Sequence, residues 1–412
     1  MISSSSPSTT LHHHPPTSPP PPSRRNILIS GLGGGLDIHN SMLMYLLFKE
    51  GKTYLTSTSS PLMASCTYDH NHATTTTTTT ITTTQEFPYS IENIYLGSIR
   101  PCKTSDIENP LQILSSSVAL IHSESKIKIK GRYLEPTLAS VLNENIFLMT
   151  GSPTDTHSNI KQNDEHWNGI ENLKEGLKDV VQRYELTDLI VVDGGGDSLI
   201  LKPSDSIDKI HSSVFAGGDA VVLSALHKLS QEMPQLNLIQ GIISVGLDVN
   251  RKAFKQNIKA IAHRGGYFGR INFATGKDKD TRKHSNEFVN AVTRYLFGNE
   301  CIRKNVLEKF FELSEQYLVL QEDHLPQSRI ISNETRPTRF MSHTAVVTYH
   351  ALKGNFGLRR TFVPWEPKLQ QGKGVMVEED HQWMYLVNPA IAEMLKISQN
   401  RSEYDQLNNL EK

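Results

Sequence analysis

The sequence predicts an α/β protein on a doubly wound, mostly parallel sheet, with Gly/Asp-rich loops at the carboxyl ends of the strands. Two observations predict it. Short buried strand patterns alternate with amphipathic helical patterns, which implies right-handed crossovers between parallel strands. Several of those strands also run directly into glycines that are followed by an aspartate.

The elements follow in order. Ile27-Leu28-Ile29 reads as a buried strand, then a glycine loop, then a helix from Asp37 to Glu50 with Ile38, Met42, Tyr45 and Leu46 on one face. A second strand is expected near Thr53 to Thr56. Val118 to Ile121 and Ile146 to Met149 read as further strands with a helix at Glu135 to Leu142 between them. Ile170, Leu173, Leu177, Val180, Val181 and Tyr184 recur at helical spacing, and Leu189 to Val192 is a fully buried strand. Asp219 to Leu229 is an apolar helix leading to a strand at Leu238 to Val245. Beyond about residue 270, Phe288 to Phe297 and Val306 to Leu320 are amphipathic helices, and Ala345 to Tyr349 and Met384 to Val387 are expected strands.

The chain has 412 residues, enough for one large α/β domain or two ordinary ones. We read a single domain over 24–390. A Ser/Pro tail (1–23) precedes it, a Thr-rich insertion (66–86) loops out of it, and a polar tail (391–412) follows. Hydrophobic content is 37%, and the deficit lies in the first two of these tracts. A formal net charge of -1 argues against nucleic acid, whose phosphates demand clustered Lys and Arg. The run Lys126-Ile127-Lys128-Ile129-Lys130 alternates like a strand with a solvated face. Cys66, Cys102 and Cys301 are too widely spaced for a thiolate zinc site and fit a reducing compartment. No apolar run is long enough to span a membrane and no secretory signal is visible, so the cytoplasm is the expected location.

Four loops share one design: Gly33-Gly34-Gly35-Leu36-Asp37, Asp193-Gly194-Gly195-Gly196-Asp197, Gly217-Gly218-Asp219 and Gly246-Leu247-Asp248. Glycine admits positive φ and close approach of backbone to a ligand. Ligands of open parallel sheets bind beyond the carboxyl ends of the strands. Helix starts there offer unpaired N–H groups to a phosphate or carboxylate. Gly33, Gly34, Gly35, Asp37, Gly195, Gly196, Asp219 and Asp248 are therefore candidate ligand-binding residues in one crevice.

An aspartate at a helix start is also an ordinary N-cap, and Asp37 and Asp219 admit either role. Asp193 and Asp197 flank three glycines after a buried strand. A cation such as Mg²⁺, a ribose hydroxyl or an amine would offset their mutual repulsion; capping plus turn formation is the competing reading. They are the candidate metal ligands and the candidate catalytic residues. His39, beside the first glycine loop, is the histidine of most interest. No stretch reads GxxxxGK[ST], GxSxG or HExxH.

The order of these loops resembles the domain of unknown function 1152 family, here with low-complexity insertions. Gly33, Gly34, Gly35 and Asp37 match its first motif; Asp193, Gly195, Gly196 and Asp197 the second; Asp219 the third; Asp248 the fourth. The resemblance runs from about Asn26 to Val387. Leu36 stands where the family has a further glycine, and its Trp-Glu segment after the second strand is not recognisable. The family's activity is unknown. Two functions fit the loops: an enzyme acting on a small anionic metabolite or nucleotide, or a non-catalytic sensor of such a ligand.

Overall fold

The computed structural model describes residues 23–32, 37–58, 87–100, 104–127, 135–150, 169–205, 218–247, 249–281, 286–315, 343–357, 359–360 and 375–410. Gly33, Gly34, Gly35 and Asp248, and the tracts 1–22 and 59–86, lie outside them.

Strand β1 (Ser23–Gly31) leads to helix α1 (Asp37–Thr58) and strand β2 (Tyr89–Arg100). Short strands β3 (Ile107–Glu108), β4 (Gln112–Ile113), β5 (Val118–Ile121) and β6 (Lys126–Ile127) come next, then α2 (Glu135–Leu142), β7 (Ile146–Thr150), α3 (Gly169–Arg183) and β8 (Asp188–Gly194). The chain continues through α4 (Gly218–Glu232), β9 (Asn237–Ile243), α5 (Arg251–His263), β10 (Tyr267–Asn272), β11 (Asp278–Lys279), α6 (Glu287–Ala291) and α7 (Glu300–Ser314). It ends with α8 (His343–Leu352), β12 (Arg359–Arg360), β13 (Val375–Met376), β14 (Trp383–Val387), α9 (Pro389–Gln399) and α10 (Arg401–Leu410).

Ten strands form one sheet in the order β11-β10-β14-β9-β8-β1-β2-β7-β5-β4. The sheet is mixed, which corrects the expectation of a mostly parallel one. From β9 through β8, β1 and β2 to β7 the pairing is parallel, but β14 runs antiparallel to both β9 and β10, β11 to β10, β5 to β7 and β4 to β5. Short connections account for part of this. The hairpins β4–β5 and β10–β11 turn back within a few residues, too few for a parallel crossover.

Alternation along the strands sorts the core. Ile27, Ile29, Ile190 and Val192 pack with Met42, Leu46 and Phe48 of α1 and Phe310 of α7. Leu28, Leu189 and Val191 face the other way, onto Leu177 and Val181 of α3 and Val222 and Leu226 of α4. A third cluster joins Ile242 to Phe254 and Ile258 of α5 and to Leu395 and Ile397 of α9. Helices thus cover both faces of the sheet.

Two expected strands are helical. Thr53 to Thr56 continues α1, where the hydroxyls of Thr53 and Thr56 bond the carbonyls of Lys49 and Lys52, four residues back. The second strand of the sheet is Tyr89–Arg100 instead. Ala345 to Tyr349 lies within α8, and Ala345, Val347, Thr348 and Tyr349 are all buried there. An element enclosed on every side shows no amphipathic period, so its β-branched residues misread as a strand. Residues 391–412, read as a polar tail, carry most of α9, with Ala392, Leu395 and Ile397 buried, and then α10. Among the described residues no helix is long and apolar enough to cross a membrane.

Candidate functional site

β1, β8 and β9 are parallel, so their carboxyl ends share one edge of the sheet. The loop after β8 is tied down there on both sides. Gly195 N–H donates to Ile243 O at 2.9 Å, and Gly246 N–H donates to Gly195 O at 3.2 Å. Gly195 and Gly196 adopt φ of 104° and 98°, the left-handed region that glycine enters at no steric cost. Gly196 then opens a short 3₁₀ turn, Asp197–Leu199.

Asp193 follows the strand alternation onto the α4 side. Asp219 stands in the first turn of α4, and the 3₁₀ turn brings Asp197 to the same place. One carboxylate oxygen from each of Asp193, Asp197 and Asp219 lies within 4.8 Å of the others; Asp193 is buried and the other two are partly exposed. Ser198 donates its hydroxyl to Asp193 Oδ2, and Gln240 Nε2 donates to Ser198 Oγ at 2.7 Å, all within the core. This chain fixes the orientation of the Asp193 carboxylate.

Burial pushes the Asp219 carboxyl well above the ordinary carboxylate range, and the charges of Asp197 and Asp193 and a hydrogen bond with Asp197 push it the same way. The charge of Lys396 opposes them. Lys396 projects from α9 with its side chain 3% exposed and pairs at 3.1 Å with the fully buried Glu393, which accepts from Ser224 Oγ at 2.6 Å. A second lysine–carboxylate group, Lys174 with Glu171, Glu175 and Glu232, ties α3 to α4 at the surface and takes no part in the site.

The opposite side of β8 is built by α1. Gly194 N–H donates to Asp37 Oδ1 at 3.1 Å. A Cβ on Gly31 would lie 2.6 Å from Ile38 N, so glycine is required where α1 begins against the end of β1. Asn40 and Thr344 of α8 also abut Gly194. Asn40 is fully buried, and neither Oδ1 nor Nδ2 reaches a partner at hydrogen-bonding geometry, although its proximity favours a proton on the His39 ring. His39 itself is a packed core residue. Nε2 meets Ser314 Oγ at 2.9 Å, the ring lies 4.7 Å from that of Phe310, and burial lowers its pKa to about 3.

The structure therefore brings Asp193, Asp197 and Asp219 together, with Asp37 across the strand end. Three residues span at most about 11 Å, so Asp37, bonded to Gly194, and Asp197 occupy one neighbourhood. Sequence reasoning missed Ser198, Gln240, Asn40, Thr344, Glu393 and Lys396. Ser198 adjoins the second motif and was findable; the others reach the site only through packing. A cavity of about 430 Å³ lies at the other edge of the sheet, lined by Asn237, Asn286, Asn388 and Phe268 among others, away from the acidic cluster.

Residues 100–294 match a family described as Protein of unknown function (DUF1152). Over these residues the chain is similar to the DUF1152 family. The DUF1152 span holds Asp193, Asp197, Asp219 and Asp248; Asp37, Asn40, Thr344 and Lys396 lie outside it. Neither the curated proteins nor the solved structures contain a match to the chain.

Proposed function

We propose that this DUF1152-like chain is an enzyme in which Asp193, Asp197 and Asp219 hold a divalent cation, such as Mg²⁺, that engages a small anionic metabolite or nucleotide. The observation that carries this reading is the convergence of three carboxylates, from two separate segments, within 4.8 Å. Oxygens bound to one Ca²⁺ at about 2.4 Å can be up to about 4.8 Å apart, and those on Mg²⁺ at about 2.1 Å up to about 4.2 Å. The cluster is therefore of a size that a divalent cation could draw together with a small closure. A cation also relieves the mutual repulsion of the three carboxylates. Burial and the charges of Asp197 and Asp193 raise the Asp219 pKa in the cation-free site, and a bound cation would reverse that by favouring the ionised carboxylate.

Calorimetric titration with Mn²⁺ and Mg²⁺ tests the reading. The parent is expected to bind one cation, and Asp197→Asn to lose that binding while its metal-free melting temperature stays equal or rises. If Asp197→Asn binds the cation as the parent does, the aspartate cluster is not the site. Turnover of a panel of phosphate esters in Mn²⁺ separates the two functions: binding without turnover identifies a sensor.

A further inference from the structure

α5 buries Ala253, Phe254, Asn257, Ile258 and Ile261 on one side and presents the other to solvent. On the solvent side Lys252, Lys255, Lys259 and His263 form one stripe roughly 16 Å long, and Arg264 follows at its end; all five are exposed. From Val249 to Lys277 the chain holds seven lysines and arginines and no aspartate or glutamate, although 43 of its 412 residues are acidic. The net charge of -1 hides this excess, because it averages over the whole chain while a phosphate backbone meets one surface.

The stripe does nothing for its own helix. Arg251 and Lys252 stand in the first turn, where the positive end of the dipole disfavours cations. Arg251–Lys255 and Lys255–Lys259 are like-charge pairs one turn apart, which are destabilising. Glu378 offsets Arg251, but among the described residues no ion pair involves Lys252, Lys255, Lys259 or Arg264. α3 shows the ordinary arrangement, with Lys174 and Lys178 paired to Glu171, Glu175 and Glu232. α5 is held instead by its buried face and by the Asn250 cap, which accepts from the N–H groups of Lys252 and Ala253. A row of cations kept against these local costs implies an anionic partner outside the chain.

We infer that the outward face of α5 binds the phosphate backbone of a single nucleic-acid strand through Lys252, Lys255, Lys259 and Arg264. One row of cations follows one backbone. Phosphate contacts carry no base identity, so the binding is independent of sequence and falls steeply with salt. A membrane or an acidic peptide fits less well. Among the described residues the large exposed apolar side chains are Tyr54, Leu111, Ile113, Phe356 and Met394, and none lies on α5 to anchor in a bilayer or in a partner protein. α5 starts beside the aspartates: a Cβ on Gly196 would lie 2.9 Å from Val249 and 3.7 Å from Phe254. A strand along α5 therefore runs up to the loop of Asp197, but its binding needs no cation there and stands apart from the proposed function.

Fluorescence anisotropy of a labelled oligo-dT strand, titrated with the full chain at several salt concentrations, tests this. The parent is expected to bind with a slope of log affinity against log salt of about -2 to -3, as for four contacts to a single strand. Lys252→Gln/Lys255→Gln/Lys259→Gln should bind about tenfold more weakly or worse at low salt, with a slope shallower by about 2. Its melting temperature should hold or rise, since repulsion along the helix is relieved. Arginine at the same three positions keeps the charge and should keep the affinity. Lys178→Gln/Lys309→Gln/Lys353→Gln removes the same charge from other elements and should bind as the parent does. Equal losses in the two glutamine variants would make net charge the cause and overturn the inference. A parent that binds no strand at low salt, or a first variant that binds as the parent does, also overturns it. Binding to phosphatidylserine vesicles with none to the oligonucleotide would make the surface a membrane contact and overturn it too.

Discussion

The backbone N–H of Gly194 donates to the carboxylate of Asp37 at 3.1 Å, which ties the start of α1 to the end of the strand that carries the acidic cluster. Asp37→Ala leaves that buried N–H without its acceptor. The expected cost is about 1–3 kcal/mol in chemical denaturation. Asp37→Asn keeps an acceptor oxygen and should cost clearly less. Equal losses in the two variants would show that the charge of Asp37, not this bond, is what matters.

Gly194 itself has no room for a side chain, with Asn40 Nδ2 at 2.3 Å from a Cβ placed there. Gly194→Ala should lose about 1–3 kcal/mol through overpacking at the strand end. Gly265→Ala is the comparison. Nothing lies within 4 Å of its Cβ, and only its φ of +76° is strained, so a loss of about 1 kcal/mol is expected. Urea midpoints of the two variants give the order directly.

Asp219 makes metal-free stability depend on pH. Its folded pKa is raised well above 3.8, so the folded state holds this proton more tightly than the unfolded chain does. The favourable contribution is present in full below about pH 3.8 and is lost as pH rises through the folded value. Asp219→Asn, which carries no charge, should therefore be more stable than the parent at neutral pH in chelator. The gap should close as pH falls toward 4. A gap independent of pH would mean that Asp219 titrates normally.

The buried pair Lys396–Glu393 predicts strong non-additivity. Lys396→Met strands the carboxylate of Glu393 in the core and should cost about 3–5 kcal/mol. Adding Glu393→Gln removes the stranded charge and should restore much of the loss, because the amide can still pair with Ser224. Additive losses in the double-mutant cycle would show that the two side chains do not interact.

Removal of the cation offers a separate check on the cluster. Chelator should lower the melting temperature of a Mn²⁺-loaded parent, since a ligand bound only to the native state stabilises it. The same treatment should leave Asp197→Asn unmoved. A shift of equal size in both proteins would place the cation elsewhere.

By itself, the sequence determined the α/β class, the strand at Val118–Ile121, the helix at Glu135–Leu142 and the pairing of Asp193 with Asp197 around three glycines. Those are local properties: a buried run or a helical period is written in adjacent residues. The sheet's antiparallel flanks were not legible, because strand direction depends on where a returning chain finds an open edge, as β14 does between β9 and β10. Thr53 to Thr56 and Ala345 to Tyr349 misread as strands because β-branched residues favour strands; the first is exposed and simply continues α1, and in the second tertiary burial overrides the preference. Only tertiary structure carried Asp219 to the Asp193–Asp197 pair, placed Lys396 beside it and set Asn40 and Thr344 against Gly194. Asn40 and Thr344 are more than 300 positions apart in the chain and meet because α1 and α8 pack against the same strand end.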